Sequence, residues 1–168
     1  MPDAPRFTHL DESGTARMVD VSGKDVTRRV AEASCRVTLG AETVANLSRL
    51  PKGDALTVAR LAGIGGAKAT ATLIPLAHPL PLDQVEVDVV PVEGGVEVRS
   101  RVVTTARTGA EMEALTACAV AALALYDMVK SVERGAVIGD LKLLHKTGGA
   151  GGSWSREETA APPAGAPR

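Results

Sequence analysis

The side chains able to move protons or hold phosphate fall at a few separate places in the chain. Asp127 and Lys130 stand three residues apart, which makes them neighbours on one face of a helix. Such a pair can accept and donate protons when its surroundings tune the two pKa values, and it can equally be an ordinary solvated ion pair. The uncharged run at residues 114–126 ends immediately before Asp127, so the pair stands where an apolar segment meets polar surroundings. Glu111 and Glu113 open the same stretch, where the helix dipole favours carboxylates. Thr108-Gly-Ala-Glu111 has the form of a capping box, which gives Glu111 a structural reading.

His78 lies in Pro75-Leu-Ala-His78-Pro79-Leu80-Pro81. Its three prolines stiffen the segment, because each fixes its own φ and biases the residue before it. The segment can present an imidazole for proton transfer or serve as a rigid connector. Lys146 precedes Thr-Gly-Gly-Ala-Gly-Gly, a run whose backbone N–H groups can form an anion nest or merely link to the C-terminal residues. Lys52, just before Gly53-Asp54, stands at a helix entrance and suits phosphate. Two further patterns fail. Gly63-Ile-Gly65-Gly66-Ala-Lys68 lacks the Gly-Lys-Ser/Thr ending of a phosphate loop and the strand before a dinucleotide fingerprint. The three histidines and two cysteines have no metal-ligand spacing, so no metal site is expected.

The elements that must position these groups can be read from the rest of the chain. Its 168 residues suit one domain, and 45% apolar with 23% charged residues is ordinary for a globular protein. One Phe, one Tyr and one Trp leave the core to 27 Ala, 20 Val and 16 Leu, which predicts thin, closely packed layers. A net charge of −1 with 2% aromatic residues speaks against a nucleic-acid binder. The longest uncharged apolar run has 13 residues, short of the ~20 of a membrane span, and MPDAPRFTHL has no apolar signal region. Cys35 and Cys118 read as buried free thiols of a reducing compartment, so a cytoplasmic protein is expected.

Residues 30–39 alternate as a strand with one wet face, and 41–50 suit a short helix. Asp54 suits the N-cap of a helical stretch towards Leu73, interrupted by Gly63, Gly65 and Gly66. Two alternating valine runs around Glu93-Gly94-Gly95 predict a hairpin. The longest helix should run from the Glu111 region to about Glu133, with a last strand at 136–145. This order is the βαββαβ pattern of an α+β, ferredoxin-like fold, an antiparallel sheet backed by helices. A single domain over 1–147 is expected, followed at 148–168 by a Gly/Ala/Pro-rich mobile tail.

Taken together, the segments resemble the cyclic pyranopterin monophosphate synthase family, the C protein of molybdenum cofactor biosynthesis. They are Met18-Val-Asp-Val21, Lys52-Gly-Asp54, Ala59-Arg-Leu-Ala-Gly-Ile64, Leu73-Ile-Pro-Leu-Ala-His-Pro-Leu80, Glu111-Met-Glu-Ala-Leu-Thr-Ala117, Tyr126-Asp-Met-Val-Lys130 and Lys146-Thr-Gly-Gly149. The likeness runs in order from about residue 7 to 152. It implies conversion of 3′,8-cyclised dihydro-GTP to cyclic pyranopterin monophosphate with release of diphosphate, a reaction that needs no redox cofactor.

The resemblance implies Asp127 as catalytic acid/base with Lys130 beside it, Lys52 and Lys146 completing a basic cluster, and His78 in the substrate loop. Leu76, Ala77 and His78, with Met112 and Glu113, match the substrate-contacting segments. Ala77 stands where many members have Cys, and Ala150 where many have a second Lys. It further implies a small-molecule substrate, no nucleic-acid or membrane partner, and a homo-oligomer, a hexamer built from dimers. Glu113 and Asp127 are about 21 Å apart along one helix, at 1.5 Å per residue. A single nucleotide-sized substrate cannot readily touch both on one chain, so a site shared between subunits is expected. A nucleotide-binding oligomer that has lost turnover is the alternative.

Overall fold

A computed structural model describes residues 13–157. Five antiparallel strands form one sheet, in the spatial order β2-β3-β1-β4-β5. They are β1 (Thr27–Thr38), β2 (Leu82–Val92), β3 (Gly95–Ala106), β4 (Val137–Thr147) and β5 (Trp154–Ser155). The helices are α1 (Ala41–Asn46), α2 (Ala55–Lys68), α3 (Thr70–Leu73) and α4 (Glu111–Val129), with a 3₁₀ turn at Leu47–Arg49. β1, α2, β2, β3, α4 and β4 make the expected ferredoxin-like α+β core.

Side chains alternate across the sheet because successive Cβ atoms in a strand point to opposite faces. Along β1, Ala31, Ala33, Cys35 and Val37 are buried beside Val102, Ser100, Val98 and Val96 of β3. The intervening pairs Glu32↔Arg101, Ser34↔Arg99 and Arg36↔Glu97 share the other face, where Arg101 bridges Glu32 and Glu86. Small residues let α4 lie close to the sheet: Ala114, Ala117, Cys118 and Ala121 are fully buried, and Ser100 Oγ donates to Ala114 O at 2.7 Å. Cys35 and Cys118 are free and buried. With 19 residues, α4 is long and apolar enough to cross a membrane, but here it is the core helix.

Four expectations need correction. α2 runs unbroken through its three glycines, because Gly63 and Gly66 are where α4 comes closest. A Cβ on Gly63 would lie 2.9 Å from Ala117 O, and one on Gly66 2.7 Å from Val120 Cβ. The capping box does not form. The N-cap of α4 is Ala110, which makes no side-chain cap bond. α4 ends at Val129 rather than near Glu133, whose carboxylate instead accepts from Gly40 N–H at 2.9 and 3.1 Å, at the start of α1. The chain also does not become a tail at residue 148. Trp154 and Ser155 pair with Lys146 and His145, and Arg156 stacks its guanidinium 5.6 Å from the Trp154 ring centre. The rest of the expected tail, 158–168, lies outside the described residues.

Candidate active site

The chemically able residues form two groups, one at each end of α4. At the C-terminal end, the Asp127 carboxylate lies between two ammonium groups, Lys130 Nζ at 2.6 Å and Lys52 Nζ at 3.0 Å. Lys52 Nζ also donates to Asp127 O at 2.7 Å, one of the carbonyls that a helix end leaves without an intrahelical donor. The turn before α2 sets this up: Gly53 takes φ +107, a left-handed value, and its N–H donates to Leu50 O at 2.9 Å. Asp54 then caps α2, accepting from Leu56 and Thr57 N–H. The hydrogen bond from Lys130 and then that from Lys52 hold the Asp127 carboxyl below the usual carboxylate range, and Asp127 raises Lys130 in return. This is a fixed, ionised triad exposed to solvent.

The second group surrounds a cavity of about 490 Å³ at the N-terminal end of α4, lined by Leu76, Ala77, His78, Met112, Glu113 and Lys146 among others. His78 sits on the extended segment between α3 and β2. Its Nε2 lies 2.8 Å from Val19 O. A carbonyl only accepts, so Nε2 carries the hydrogen of this bond. Lys146, the penultimate residue of β4, donates to Glu111 Oε1 at 2.8 Å. Glu111 thus serves as the partner of a β4 lysine rather than as a helix cap.

Glu113 is only 4% exposed. Burial, reinforced by the charge of Glu111, pushes its carboxyl up to about 7 against the opposing pull of a backbone hydrogen bond. A carboxyl at that value can give or take a proton near neutrality. Sequence reasoning placed Glu113 at the substrate by resemblance alone; its burial depends on the turn where β3 meets α4. Among the described residues, no three His, Cys, Asp or Glu side chains converge to hold a metal.

Leu76, Ala77, His78, Met112, Glu113 and Lys146 are therefore brought together, as are Lys52, Asp127 and Lys130. The two groups do not meet within one chain. The basic cluster that the resemblance implied is split, because Lys146 contacts the first residue of α4 and Lys52 its last turn.

The MoaC family model matches residues 18–149. The chain belongs to the MoaC family. It is 56% identical over 157 residues to a protein of Streptomyces avermitilis named cyclic pyranopterin monophosphate synthase, covering 92% of each chain. A protein of the same name from Nocardioides sp. is 59% identical over 163 residues, covering 93% of this chain and 99% of the relative. A third, from Geobacter metallireducens, is 51% identical over 158 residues, covering 92% of this chain and 99% of the relative. The family's match spans both groups, from Met18 beside the His78 segment to Gly149 beyond Lys146.

Proposed function

We propose that this chain is a cyclic pyranopterin monophosphate synthase of molybdenum cofactor biosynthesis. It converts 3′,8-cyclised dihydro-GTP to cyclic pyranopterin monophosphate and releases diphosphate. The observation that carries this reading is the presence of two complementary groups, one at each end of α4. One offers Glu113 and the His78 imidazole in a nucleotide-sized cavity; the other offers an Asp127 carboxylate held by two lysines. High identity to relatives that carry the synthase name supports it.

The reaction opens the five-membered ring of the purine and closes a pyrazine ring, which requires several proton transfers. Glu113 passes protons in either direction near neutral pH. Asp127, kept ionised, accepts a proton, and Lys130 and Lys52 supply the positive charge beside it. In the last step a substrate hydroxyl attacks the α-phosphorus. A new P–O bond forms, the bridging α–β P–O bond breaks, diphosphate leaves with that electron pair, and a base takes the hydroxyl proton. Cations around the phosphates stabilise the charge developed on the leaving group.

A single substrate reaches both groups only if two chains supply them, Glu113 from one and Asp127 from its partner. The surface of α4 supports this. Sheet and α2 cover Ala114, Ala117, Ala121 and Leu125, yet Leu123 remains 60% exposed and Leu61 of α2 64%. A second chain laid on these helices would cover both, which agrees with the homo-oligomer, a hexamer built from dimers, that the resemblance implies. The two buried free thiols suit a cytoplasmic protein. The test is turnover. Incubation with the cyclised dihydro-GTP should release diphosphate and yield a product with the mass of cyclic pyranopterin monophosphate; binding without diphosphate release would overturn the reading.

A further inference from the structure

We infer that Glu133 is a positioning residue: its carboxylate clasps the segment that carries Lys52 to the end of α4, and so keeps Lys52 against Asp127. The consequence for turnover rests on the synthase reading.

The Lys52–Asp127 pair needs support from its surroundings. The two side chains are 40% and 55% exposed. A lysine that holds one geometry in water gives up the freedom of a long flexible stem. After Lys52 the backbone is fixed, by the bond from Gly53 N–H to Leu50 O and by the Asp54 cap of α2. Before Lys52 the chain is held more lightly. No residue of α1 is buried, and its N-cap, Gly40, makes no side-chain cap bond. Burial resumes only at Leu47 and Leu50.

Glu133 supplies the missing tie. Both of its carboxylate oxygens accept from Gly40 N–H, at 2.9 and 3.1 Å. The turn that carries Glu133 is knitted to the end of α4. Glu133 N–H donates to Val129 O at 2.8 Å, Lys130 N–H to Tyr126 O at 2.9 Å, and the Tyr126 hydroxyl to Arg134 O at 3.3 Å. Residues 40–52 therefore leave the end of α4 at Glu133 and return to it at Asp127, where Lys52 Nζ donates to both the carboxylate and the main-chain oxygen. Fastening the far end restricts the free chain before Lys52, and this reduces the entropy lost when its ammonium meets Asp127.

The test follows the Asp127 carboxyl by carboxyl-carbon NMR on the full-length protein, without substrate. Glu133→Ala should move its titration upward, towards 3.8, because Lys52 is loosened. The direction is diagnostic. Removing the Glu133 charge with Lys52 still in place moves the titration downward, since one anion fewer stands near the carboxylate. Glu133→Gln keeps an oxygen that accepts from Gly40 N–H, so it should produce no upward shift. Gly40→Pro removes the donor and leaves the charge, at a φ of −66 that proline adopts. It should shift Asp127 upward as well, and it serves as the second variant if Glu133→Ala misfolds. In a Lys52→Met protein, adding Glu133→Ala should give no further upward shift. Turnover should follow the same order, with kcat/KM about tenfold lower in Glu133→Ala and restored in Glu133→Gln.

An Asp127 titration that stays still or moves down in Glu133→Ala would overturn the inference, as would an equal upward shift in Glu133→Gln or in the Lys52→Met background. The NMR readout needs no catalysis, so the two readings fail separately. Wild-type protein that releases no diphosphate, while Glu133→Ala still shifts Asp127, refutes the synthase reading alone. Active wild-type protein whose Asp127 titration ignores Glu133→Ala refutes the clasp alone.

Discussion

Replacing Gly66 by alanine should push α2 away from α4 and disturb the distant Lys52–Asp127 contact. The added Cβ would lie 2.7 Å from Val120 Cβ, 2.8 Å from Val120 Cγ2 and 3.2 Å from Thr116 O. Carbon atoms rest about 3.5–4.0 Å apart, so the helices must separate or rotate locally by roughly 1 Å. Overpacking of this kind costs about 1–3 kcal/mol. Alanine also gains about 1 kcal/mol over glycine in a helix, which masks part of that cost in one variant taken alone. Gly65→Ala is the internal reference, because its Cβ meets nothing within 4 Å while sharing the same helix and the same propensity gain.

The difference between the two variants therefore isolates the packing cost. At about 2–4 °C per kcal/mol for a chain of this size, Gly66→Ala should melt roughly 2–12 °C below Gly65→Ala. The assay is far-UV circular dichroism at one protein concentration, since assembly makes melting concentration-dependent. Lys52 lies just before α2 and Asp127 near the end of α4, so Gly66→Ala should also lower kcat/KM, by up to ~100-fold for an ångström of misplacement. A Gly66→Ala protein melting at or above Gly65→Ala would refute the claim that glycine sets the helix separation.

Asp127→Asn keeps shape and solvation but cannot take up a proton, so product formation should be lost while the melting curve stays close to wild type; near-normal turnover would refute the assignment. Lys130→Met removes the largest influence holding Asp127 below its ordinary value, so the carboxyl should titrate upward towards 3.8, read by carboxyl-carbon NMR. Asp127 in the wild type contributes stability that is present above that ordinary value and lost as pH falls through the lowered one. The variant, with its carboxyl back near the ordinary value, has a smaller contribution to lose, so its stability should fall less over that acid range. An unchanged Asp127 titration in Lys130→Met would contradict the ion-pair geometry.

Elements whose signal is local were legible in the sequence. The alternation of β1, the Gly94 turn of the hairpin, where φ is +71, and the Asp54 cap each depend on residues a few positions apart. Features decided by distant partners were not. Glu111 reads as a capping residue until β4 brings Lys146 against it. The glycines of α2 read as helix breakers until α4 is laid over them. The two halves of the catalytic set were named from the resemblance. Under the proposed function, the length of α4 makes two contributing chains a requirement.

Mixing two inactive variants tests that requirement most directly. If each site takes Glu113 from one chain and Asp127 from its partner, Glu113→Ala and Asp127→Asn subunits are each dead alone. In an equal mixture left to exchange, about half of the dimers are mixed, and two-fold symmetry gives each of these one intact site and one doubly altered site. Activity should therefore return to about a quarter of the wild-type value, on the same symmetry argument. Mixed oligomers verified by mass that remain inactive would contradict a site built from two chains.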